Sequence, residues 1–512
     1  GGLTTPPPAP DGTRMAPTTQ RKATPSPAAG SPGLSGMALY LPAYRVDLQQ
    51  WCEWTGGDWE KIRQVVGSGF RLLGPRQSVY TMAANALLRL IRNYAVDPTR
   101  IRYLALGTES STDNSAGAII VKGMVDDALR ALGLPSIARN CEVPEFKHAC
   151  LGGIYALKSA VRFLSTDGDD SLAVVICADK ALYERGSSGE PTQGAGAVAM
   201  LLESQPRLAS INLRHAGTAS EYRGIDFRKP LKGRLNGHAH SLDIPVYNGR
   251  YSTNCYVDEV RRALEDLYAR RALDPAPYLR SVEAIFMHPP YARMPETGFA
   301  VAYLFALAQG DAADQEELAT YCRGAGVLMG EMLAEMSTAP ELGLLAVSDR
   351  IQDEIFPLTM AALKVFRQSE AFGRYVHGKM VLGADSMREV GNLYTGALPA
   401  WLAAGLADAE RRGTALAGHE ILTIGYGSGN AADAIPLQVV AGWETAARRI
   451  DVAEALRTAI DVTAEQYLAL RDGLEPGGLE VTPAAEFVVE RIGSEVGHAF
   501  QDAGVEYYRY VN

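Results

Sequence analysis

The sequence predicts an α/β fold built from two similar halves, and two observations support this. From Met37 onward, short apolar strands alternate with amphipathic helices, which is typical of sheets covered on both faces. In addition, a helix, a strand, a Gly-rich turn and a second strand occur in the same order twice, at 148–203 and at 391–439. We therefore expect the two halves to pack around a pseudo-twofold axis.

The elements follow from the period of the apolar residues. Short apolar runs bounded by turn residues predict strands, and apolar residues spaced three or four positions apart predict helices. The predicted strands are Tyr103–Leu106, Leu172–Cys177, Ala197–Leu202, Ala284–Met287, Met380–Leu382 and Ile421–Ile424. The predicted helices are Tyr80–Tyr94, Ala116–Leu132, Leu151–Leu164, Val257–Arg270, Tyr394–Ala407 and Ala484–Ala499.

The composition excludes several classes of protein. Of the 512 residues, 47% are hydrophobic and 21% are charged, so the chain can fill a core and is not disordered as a whole. Asp and Glu (59) outnumber Lys and Arg (49), which gives a net charge of −10 and no electrostatic case for a nucleic-acid partner. The longest apolar run, Gly298–Gly310, is shorter than the roughly 20 residues that cross a bilayer, so we expect a buried helix there and no membrane partner.

Three segments make up the predicted domain organisation. Residues 1–35 are rich in Pro, Thr and Ala and have almost no large apolar residue, which predicts a disordered tail. The tail also lacks the apolar stretch of a signal peptide. Residues 36–210 form the predicted N-terminal half, which carries the candidate nucleophile, and residues 211–512 form the C-terminal half with its inserts.

Cys150 is the candidate nucleophile. It lies in the segment EFKHACLGG (145–153), at the start of a long apolar helix. The N-terminal end of a helix presents partial positive charge and unpaired N–H groups, which favour a thiolate. A small buried hydrophobe is the alternative role for a cysteine, and it is the role we expect for the other five, Cys52, Cys141, Cys177, Cys255 and Cys322.

Glu109 and His288 are the candidate acid–base residues, because each directly follows a predicted strand. α/β folds place catalytic groups in such loops. Glu109 lies in GTESSTD (107–113), and a carboxylate in an apolar pocket can serve as a general acid or base. His288 lies in FMHPPYAR (286–293), where two prolines stiffen the loop. The alternatives are a helix N-cap for Glu109 and a satisfied turn histidine for His288.

Two Gly-rich turns carry candidate substrate-binding residues. Asn392 and Tyr394 lie in GNLYT (391–395), and Gly427 and Ser428 lie in GYGSG (425–429). Asn and Ser in such turns can donate hydrogen bonds to an oxygen that gains negative charge, although ordinary turn chemistry is an alternative. No CxxC pair or clustered His/Cys spacing is present, so we expect no metal site and no disulfide scaffold.

The motifs together resemble the 3-hydroxy-3-methylglutaryl-CoA (HMG-CoA) synthase family of the thiolase superfamily. In chain order they are GTESSTD, HACLGG, CADKALYERGSSGEPTQGAGAVAMLLE, DFRKP, HPPYAR, GNLYTGAL and GYGSG. The resemblance extends from about Met37 to the C-terminus. It implies a thiolase-like fold, in which two similar βα halves form a layered α-β-α-β-α core.

The resemblance also implies a Claisen-type condensation of acetyl-CoA with acetoacetyl-CoA to give HMG-CoA. By the family's pattern, Cys150 takes the acetyl group, Glu109 removes a proton from its methyl group, and His288 positions or protonates the ketone oxygen. Asn392 orients the acetoacetyl group, and Ser428 with backbone N–H groups near the cysteine holds the thioester oxygen. No cofactor is implied beyond the coenzyme A thioesters.

Several positions depart from the family's pattern around the acyl and carrier entrance. Arg293 stands where the family commonly has a Lys that contacts CoA, and Glu296 and Thr297 stand where more Lys is expected. Leu151 replaces an expected aromatic residue after the cysteine. These changes favour a different carrier or acyl chain, so an acyl carrier protein is an alternative partner.

Three hypotheses of function follow. The first is a cytoplasmic, homodimeric C-acyltransferase of the HMG-CoA synthase type. The second keeps the chemistry but adds a β-branch to an intermediate bound to acyl carrier protein, so the mevalonate pathway of isoprenoid biosynthesis and secondary metabolism both stay open. The third is a non-catalytic acyl-CoA-binding subunit with the thiolase fold, which the presence of both Glu109 and Cys150 disfavours.

Overall fold

The computed structural model describes residues 30–111, 115–168, 170–227, 231–235, 238–242, 244–245, 248–343 and 353–512, with the backbone alone for 231–235 and 238–242. The strands are β1 (Gly33–Tyr40), β2 (Tyr44–Asp47), β3 (Gly69–Leu72), β4 (Ile101–Gly107), β5 (Glu145–Phe146), β6 (Leu172–Ala181), β7 (Gly194–Glu203), β8 (Ala209–Ile211), β9 (Gly217–Ser220), β10 (Leu231–Leu235), β11 (His238–Leu242), β12 (Ile285–Met287), β13 (Glu420–Gly427), β14 (Ala431–Val439), β15 (Ile460–Asp461), β16 (Glu486–Ile492) and β17 (Glu506–Val511).

Helices fill most of the segments between the strands. They are α1 (Leu48–Thr55), α2 (Trp59–Val65), α3 (Val79–Asn93), α4 (Gly117–Ala131), α5 (Gly152–Leu164), α6 (Gly249–Arg271), α7 (Pro275–Ser281), α8 (Met294–Ala308), α9 (Ala312–Ala325), α10 (Met329–Ser337), α11 (Pro357–Phe366), α12 (Glu370–Tyr375), α13 (Ala384–Met387), α14 (Ala397–Arg412), α15 (Trp443–Ala447), α16 (Val452–Arg457) and α17 (Ala464–Arg471). This alternation confirms the predicted α/β class.

One mixed sheet of ten strands runs through both halves of the chain. Its order is β12-β13-β14-β8-β1-β7-β6-β4-β5, and β9 pairs with β14. The short strand β8 joins the halves, because it pairs with β1 through Leu34 and Ala209 and with β14 through Ile211 and Leu437. The predicted domain boundary at 210/211 therefore falls inside a strand that belongs to both halves.

The repeated order of elements predicted from the sequence is present in the structure. In the first half α5 is followed by the antiparallel pair β6–β7, and β6 lies parallel to β4. In the second half α14 is followed by the antiparallel pair β13–β14, and β13 lies parallel to β12. Each helix packs on the strands of its own half. A residue with positive φ lies three positions before each helix begins, Ala149 (φ 43°) and Tyr394 (φ 47°).

Local sequence explains the best-defined elements. β6 is a run of apolar and β-branched residues buried along nearly its whole length, as expected for a strand covered on both faces. α3 begins at a capping box, in which Ser78 and Thr81 satisfy each other's backbone N–H groups. α8 contains the longest apolar run of the sequence and is buried, as predicted.

Three predictions about elements need correction. Ala484–Ala499 was predicted as a helix, but Glu486–Ile492 is β16, which pairs with β17 and docks on α3 through a bond from Phe487 N to Asn85 Oδ1 (2.8 Å). Met380–Leu382 is a turn, because this short run packs against α14, where Trp401 Nε1 donates to Leu382 O (3.0 Å). β1 begins at Gly33, so the last residues assigned to the tail lie in a buried strand. Residues 1–29 lie outside the described part of the chain.

Candidate active site

Cys150 lies in a strained turn directly before α5. The residue before it, Ala149, has a φ of 43°, in the left-handed region that residues with a Cβ rarely adopt. Leu151 N donates to His148 O at 2.9 Å and closes the turn. Cys150 is buried and lies two residues before the first residue of α5, the end of the helix where the unpaired N–H groups concentrate. This placement agrees with the sequence-based prediction of a cysteine at a helix start.

An aromatic wall surrounds the thiol. Cys150 and Ala181 form a small buried cluster with Tyr183, Phe227 and Tyr394. The Phe227 ring meets both tyrosine rings edge-to-face, with centroids 5.7 Å from Tyr183 and 5.4 Å from Tyr394. Buried apolar rings around the sulfur lower the local dielectric, and a hydrogen bond to a developing charge is stronger there than in water.

Glu109 lies beside this cluster. The pKa of Tyr394 is raised well above its usual value, first by burial and then by the charges of Tyr183, Glu109 and Cys150. The structure therefore brings Glu109, Cys150 and Tyr394 together. The N-cap alternative for Glu109 is wrong, because α4 begins eight residues later and its first N–H, of Gly117, bonds to Glu145 Oε2 at 3.0 Å.

Asp179 is a site residue that the sequence analysis missed. Its buried carboxylate lies near the end of β6 and accepts hydrogen bonds from two loops. Oδ1 accepts from Glu109 N and from the N–H of Ser110 at 2.8 Å each, and from the side chains of Thr108 and Ser110. Oδ2 accepts from the N–H (3.0 Å) and the hydroxyl of Thr395, which follows Tyr394. An Asp ending an otherwise apolar strand was the available signal.

His288 is 2% exposed and follows β12 as predicted. Its backbone is fixed on both sides, since His288 N donates to Ile424 O and Tyr256 OH donates to His288 O, each at 2.9 Å. Burial lowers the pKa of His288 to about 3, so the imidazole is neutral at physiological pH. Nδ1 has no hydrogen-bond partner among the described residues, so His288 is not a satisfied turn histidine.

The turn that carries Gly427 and Ser428 packs against the cysteine turn. A Cβ atom placed on Gly427 would lie 2.5 Å from His148 O and 2.8 Å from Leu151 Cβ, so only glycine allows this approach. Because β12 and β13 are parallel with Met287 opposite Ile424, the same strand that ends at Gly427 also flanks His288. The structure thereby places the Gly427–Ser428 turn against the cysteine turn, and His288 follows the strand that neighbours β13.

Asn392 and Tyr394 share the turn before α14. Asn392 is buried, and its Oδ1 accepts from Tyr394 N at 2.9 Å, which is the turn role named as an alternative. That bond also fixes the side on which the amide presents its N–H donors. Asn392 N donates to Thr192 O at 3.0 Å, which ties this turn to the loop before β7.

Arg293 lies apart from the buried cluster. It is exposed at the start of α8 and lines a cavity of about 470 Å³ with Arg367, Arg388 and Thr192. Burial and the charge of Arg293 lower the pKa of the Arg367 guanidinium. Four arginines but also two carboxylates, Glu296 and Asp385, line the cavity, so its charge is positive on balance, and it reaches Gly391, next to Asn392. The structure does not place Arg293 at the thiol.

A second cavity of about 650 Å³ adjoins the first. The two share Val66, Pro191, Thr192 and Tyr291. Lys61 and Arg250 line the second cavity, and Tyr291 OH lies 3.5 Å from Thr253 Oγ1 inside it. Together they give an extended ligand room to approach from the surface toward the Pro191–Thr192 loop.

The described residues contain neither a group that could hold a metal ion nor a helix that could cross a membrane. Within those residues, no group of three or more His, Cys, Asp and Glu side chains could hold a metal ion. No helix in the same part of the chain is long and apolar enough to cross a bilayer.

Comparison with known proteins places the chain in a family. Residues 29–206 match the family described as hydroxymethylglutaryl-coenzyme A synthase N terminal. The chain is 27% identical over 413 residues to a hydroxymethylglutaryl-CoA synthase of Enterococcus faecalis, covering 80% of this chain and 84% of that one. These matches support the hydroxymethylglutaryl-CoA synthase family of the thiolase superfamily for this chain. Its motifs therefore carry the resemblance that the sequence analysis inferred.

Solved structures support a thiolase-like fold for this chain. A structure titled "MvaS in complex with 3-hydroxy-3-methylglutaryl coenzyme A" superposes with a TM-score of 0.72 at 24% identity, covering 94% of this chain and all of that one. The curacin biosynthetic pathway HMG synthase in complex with holo donor-ACP superposes with a TM-score of 0.64 at 18% identity, with the same coverage. At these identities the likeness concerns the fold alone.

Proposed function

We propose that this chain condenses acetyl-CoA with acetoacetyl-CoA to give HMG-CoA, through an acetyl thioester on Cys150. The observation that carries the proposal is the buried cluster that joins a helix-start thiol, a carboxylate and an aromatic wall. The family assignment supports the same chemistry.

In the first step, the Cys150 sulfur attacks the acetyl thioester carbon. A carbon–sulfur bond forms to the enzyme, and coenzyme A leaves as its thiol. The developing oxyanion needs donors, and we assign this role to the backbone N–H groups at the start of α5 together with Ser428. The close packing of Gly427 on the cysteine turn supports that assignment.

In the second step, Glu109 removes a proton from the acetyl methyl group, and the enolate carbon attacks the ketone carbon of acetoacetyl-CoA. The negative charge moves to the ketone oxygen, and the proton taken by Glu109 ends on the resulting tertiary alkoxide. We assign His288 as a neutral hydrogen-bond donor to that oxygen, because an imidazole whose pKa is lowered to about 3 is unprotonated at neutral pH and has no extra proton to transfer. Asn392 and Tyr394 would orient the acetoacetyl group.

In the third step, water attacks the enzyme thioester. The carbon–sulfur bond to Cys150 breaks, HMG-CoA leaves as the free acid at that end, and the thiol is regenerated. The aromatic wall favours a small acyl group at the sulfur, since its rings meet at about the spacing of direct ring contact. We propose that the reaction uses no metal or redox cofactor and that the enzyme is a cytoplasmic homodimer of the mevalonate pathway.

The acyl group can be carried by coenzyme A or by an acyl carrier protein, and one observation favours the protein carrier. Arginines, Arg293 among them, outnumber carboxylates in the lining of the same cavity, and an acidic carrier protein fits such a positive lining. A β-branching synthase that acts on carrier-bound intermediates is therefore the second candidate. In either case Arg293 would contact the phosphate of the pantetheine arm.

Intact-protein mass spectrometry tests both candidates. The chain is mixed with acetyl-CoA or with acetyl-carrier protein, and the adduct is mapped by peptide digestion. An acetyl group on Cys150 from acetyl-CoA supports the first candidate, and an adduct formed only from the carrier protein supports the second. Cys150→Ala should take up no acetyl group, whereas Cys177→Ala, which removes another buried thiol, should acetylate normally. No adduct from either donor contradicts the proposed function.

A further inference from the structure

A buried ion pair links the helix that begins at the nucleophile with the hairpin that carries Ser428. Lys158 Nζ lies 3.0 Å from Asp433 Oδ2, and the two side chains are 10% and 0% exposed. Lys158 is on α5, eight residues after Cys150. Asp433 is on β14, opposite Gly425 in the β13–β14 register. The pair therefore connects the two halves behind the site.

Stability alone does not explain an ion pair at this place. Removing two charges from water is costly, and buried ion pairs are often no more stable than apolar residues of similar volume. A second carboxylate oxygen of Asp433, Oδ1, is buried and has no hydrogen-bond partner among the described residues. What the pair does supply is a fixed separation between α5 and β14.

The imidazole of His148, in the cysteine turn, packs between Gly427 and Tyr155 of α5. A Cβ on Gly427 would lie 2.8 Å from His148 Cδ2, and the ring meets Tyr155 of α5 edge-to-face with centroids 5.8 Å apart. A Cβ on Gly425 would lie 2.6 Å from Leu151 Cδ1. A change in the separation of α5 and β14 would therefore move Cys150 relative to Ser428.

We propose that Lys158 and Asp433 are positioning residues for acetyl transfer, because their ion pair sets the distance between the Cys150 turn and the Gly427–Ser428 turn. This inference rests on the proposed function. Neither side chain touches the reacting atoms; both act through the two turns. A displacement of about 1 Å at an oxyanion donor is enough to slow such a step by about 10- to 100-fold.

The decisive variant is Lys158→Met combined with Asp433→Leu. It removes both charges and leaves an apolar pair, so the fold should persist. We expect the rate of Cys150 acetylation at saturating acetyl-CoA to fall about 10- to 100-fold, with the KM for acetyl-CoA little changed. Lys158→Arg keeps the pair and should acetylate close to the wild-type rate. The matched control is Lys122→Met with Asp126→Asn, a partly buried ion pair within α4, which should leave acetylation unchanged.

Each outcome either supports or refutes a positioning role for the Lys158–Asp433 ion pair. A folded double variant that acetylates as fast as the wild type refutes the positioning role, and a raised KM with an unchanged rate also refutes it. If the double variant fails to fold, Lys158→Gln decides, because it keeps a donor to Asp433 without the charge: slowed acetylation supports the inference and a wild-type rate overturns it. A wild-type chain that takes up no acetyl group contradicts the proposed function instead.

Discussion

Replacing Asp179 with Asn should separate the two catalytic steps and weaken the fold. The carboxylate accepts bonds from four donors on Oδ1 and two on Oδ2. An Asn keeps one acceptor oxygen, and the smaller loss occurs when that oxygen takes the Oδ1 position. The amide then faces the N–H of Thr395 donor to donor, whereas the Thr395 hydroxyl can turn its single proton to Gly107 O, 3.0 Å away, and accept from the amide.

The magnitude follows from these contacts. A hydrogen bond to a charged group contributes about 1.5–3 kcal/mol and a neutral one about 0.5–1.5 kcal/mol, so weakening four bonds costs about 4 kcal/mol. The unsatisfied N–H of Thr395 adds about 1–3 kcal/mol. We therefore expect the free energy of unfolding to fall by about 5–7 kcal/mol, a large part of the stability of a typical protein.

The assay combines urea unfolding with the two chemical steps. Asp179→Asn should lower the urea midpoint, and its condensation rate should fall more than its acetylation rate, because the lost bonds anchor Glu109 and Thr395 and not Cys150. Asp266→Asn is the control, since that carboxylate is on the helix surface and bonds to Thr218 N and Arg270. A wild-type midpoint together with wild-type condensation in Asp179→Asn would refute the reasoning.

Three further predictions concern the candidate site. Glu109→Gln should still acetylate at Cys150 but condense at least about 100-fold more slowly, because it loses the base; acetyl-enzyme mass and product assays check this. His288→Asn should reduce the loss of stability at acid pH. Burial lowers the pKa of His288 from 6.5 to about 3, so the contribution of this side chain to the free energy of unfolding is complete above pH 6.5. That contribution is lost as the pH falls toward 3, at about 1.4 kcal/mol per pH unit. Gly427→Ala should slow acetylation, because its Cβ would lie 2.5 Å from His148 O.

Specific results contradict each of these. Normal condensation in Glu109→Gln removes the carboxylate from the base role. An unfolding free energy of His288→Asn that falls between pH 6.5 and 3 as steeply as that of the wild type contradicts a neutral buried imidazole. Wild-type acetylation in Gly427→Ala would mean that the cysteine turn can move without cost. The control for Gly427→Ala is Gly123→Ala, because a Cβ at Gly123 meets open space. Gly413→Ala is a poorer control, because the positive φ of Gly413 would strain an alanine there.

Most elements were predictable because their signals are local. The apolar residues of β6 and α5 form long, regular runs bounded by short turns. Glu109 follows the end of a predicted strand and Cys150 precedes the start of a predicted helix, so the positions of both could be predicted. Ala484–Ala499 failed because its apolar residues, Phe487 to Val489, pair with β17 and pack on α3, contacts that no local pattern contains. Met380–Leu382 is too short for the pattern to distinguish a strand from a buried turn.

The parts of the site that the sequence did not reveal depend on distant pairs. Asp179 meets Thr395 across 216 positions, and Lys158 meets Asp433 across 275. Either aspartate taken alone is an unexplained acid in an apolar strand. Only the fold gives each its partner, and this is why the residues that hold the site were harder to find than the residues proposed to react.

The joining strand β8 has a consequence for how the enzyme is made. Ribosomes release the chain from its N-terminus, so β4, the Cys150 turn and β6 emerge long before β13 and β14. Until β14 pairs with β8 and β9, the thiol has no Gly427–Ser428 turn beside it. The nascent chain therefore carries its proposed nucleophile without the partners proposed to activate the thioester, and we expect acyl transfer only after the chain has been synthesised through β14.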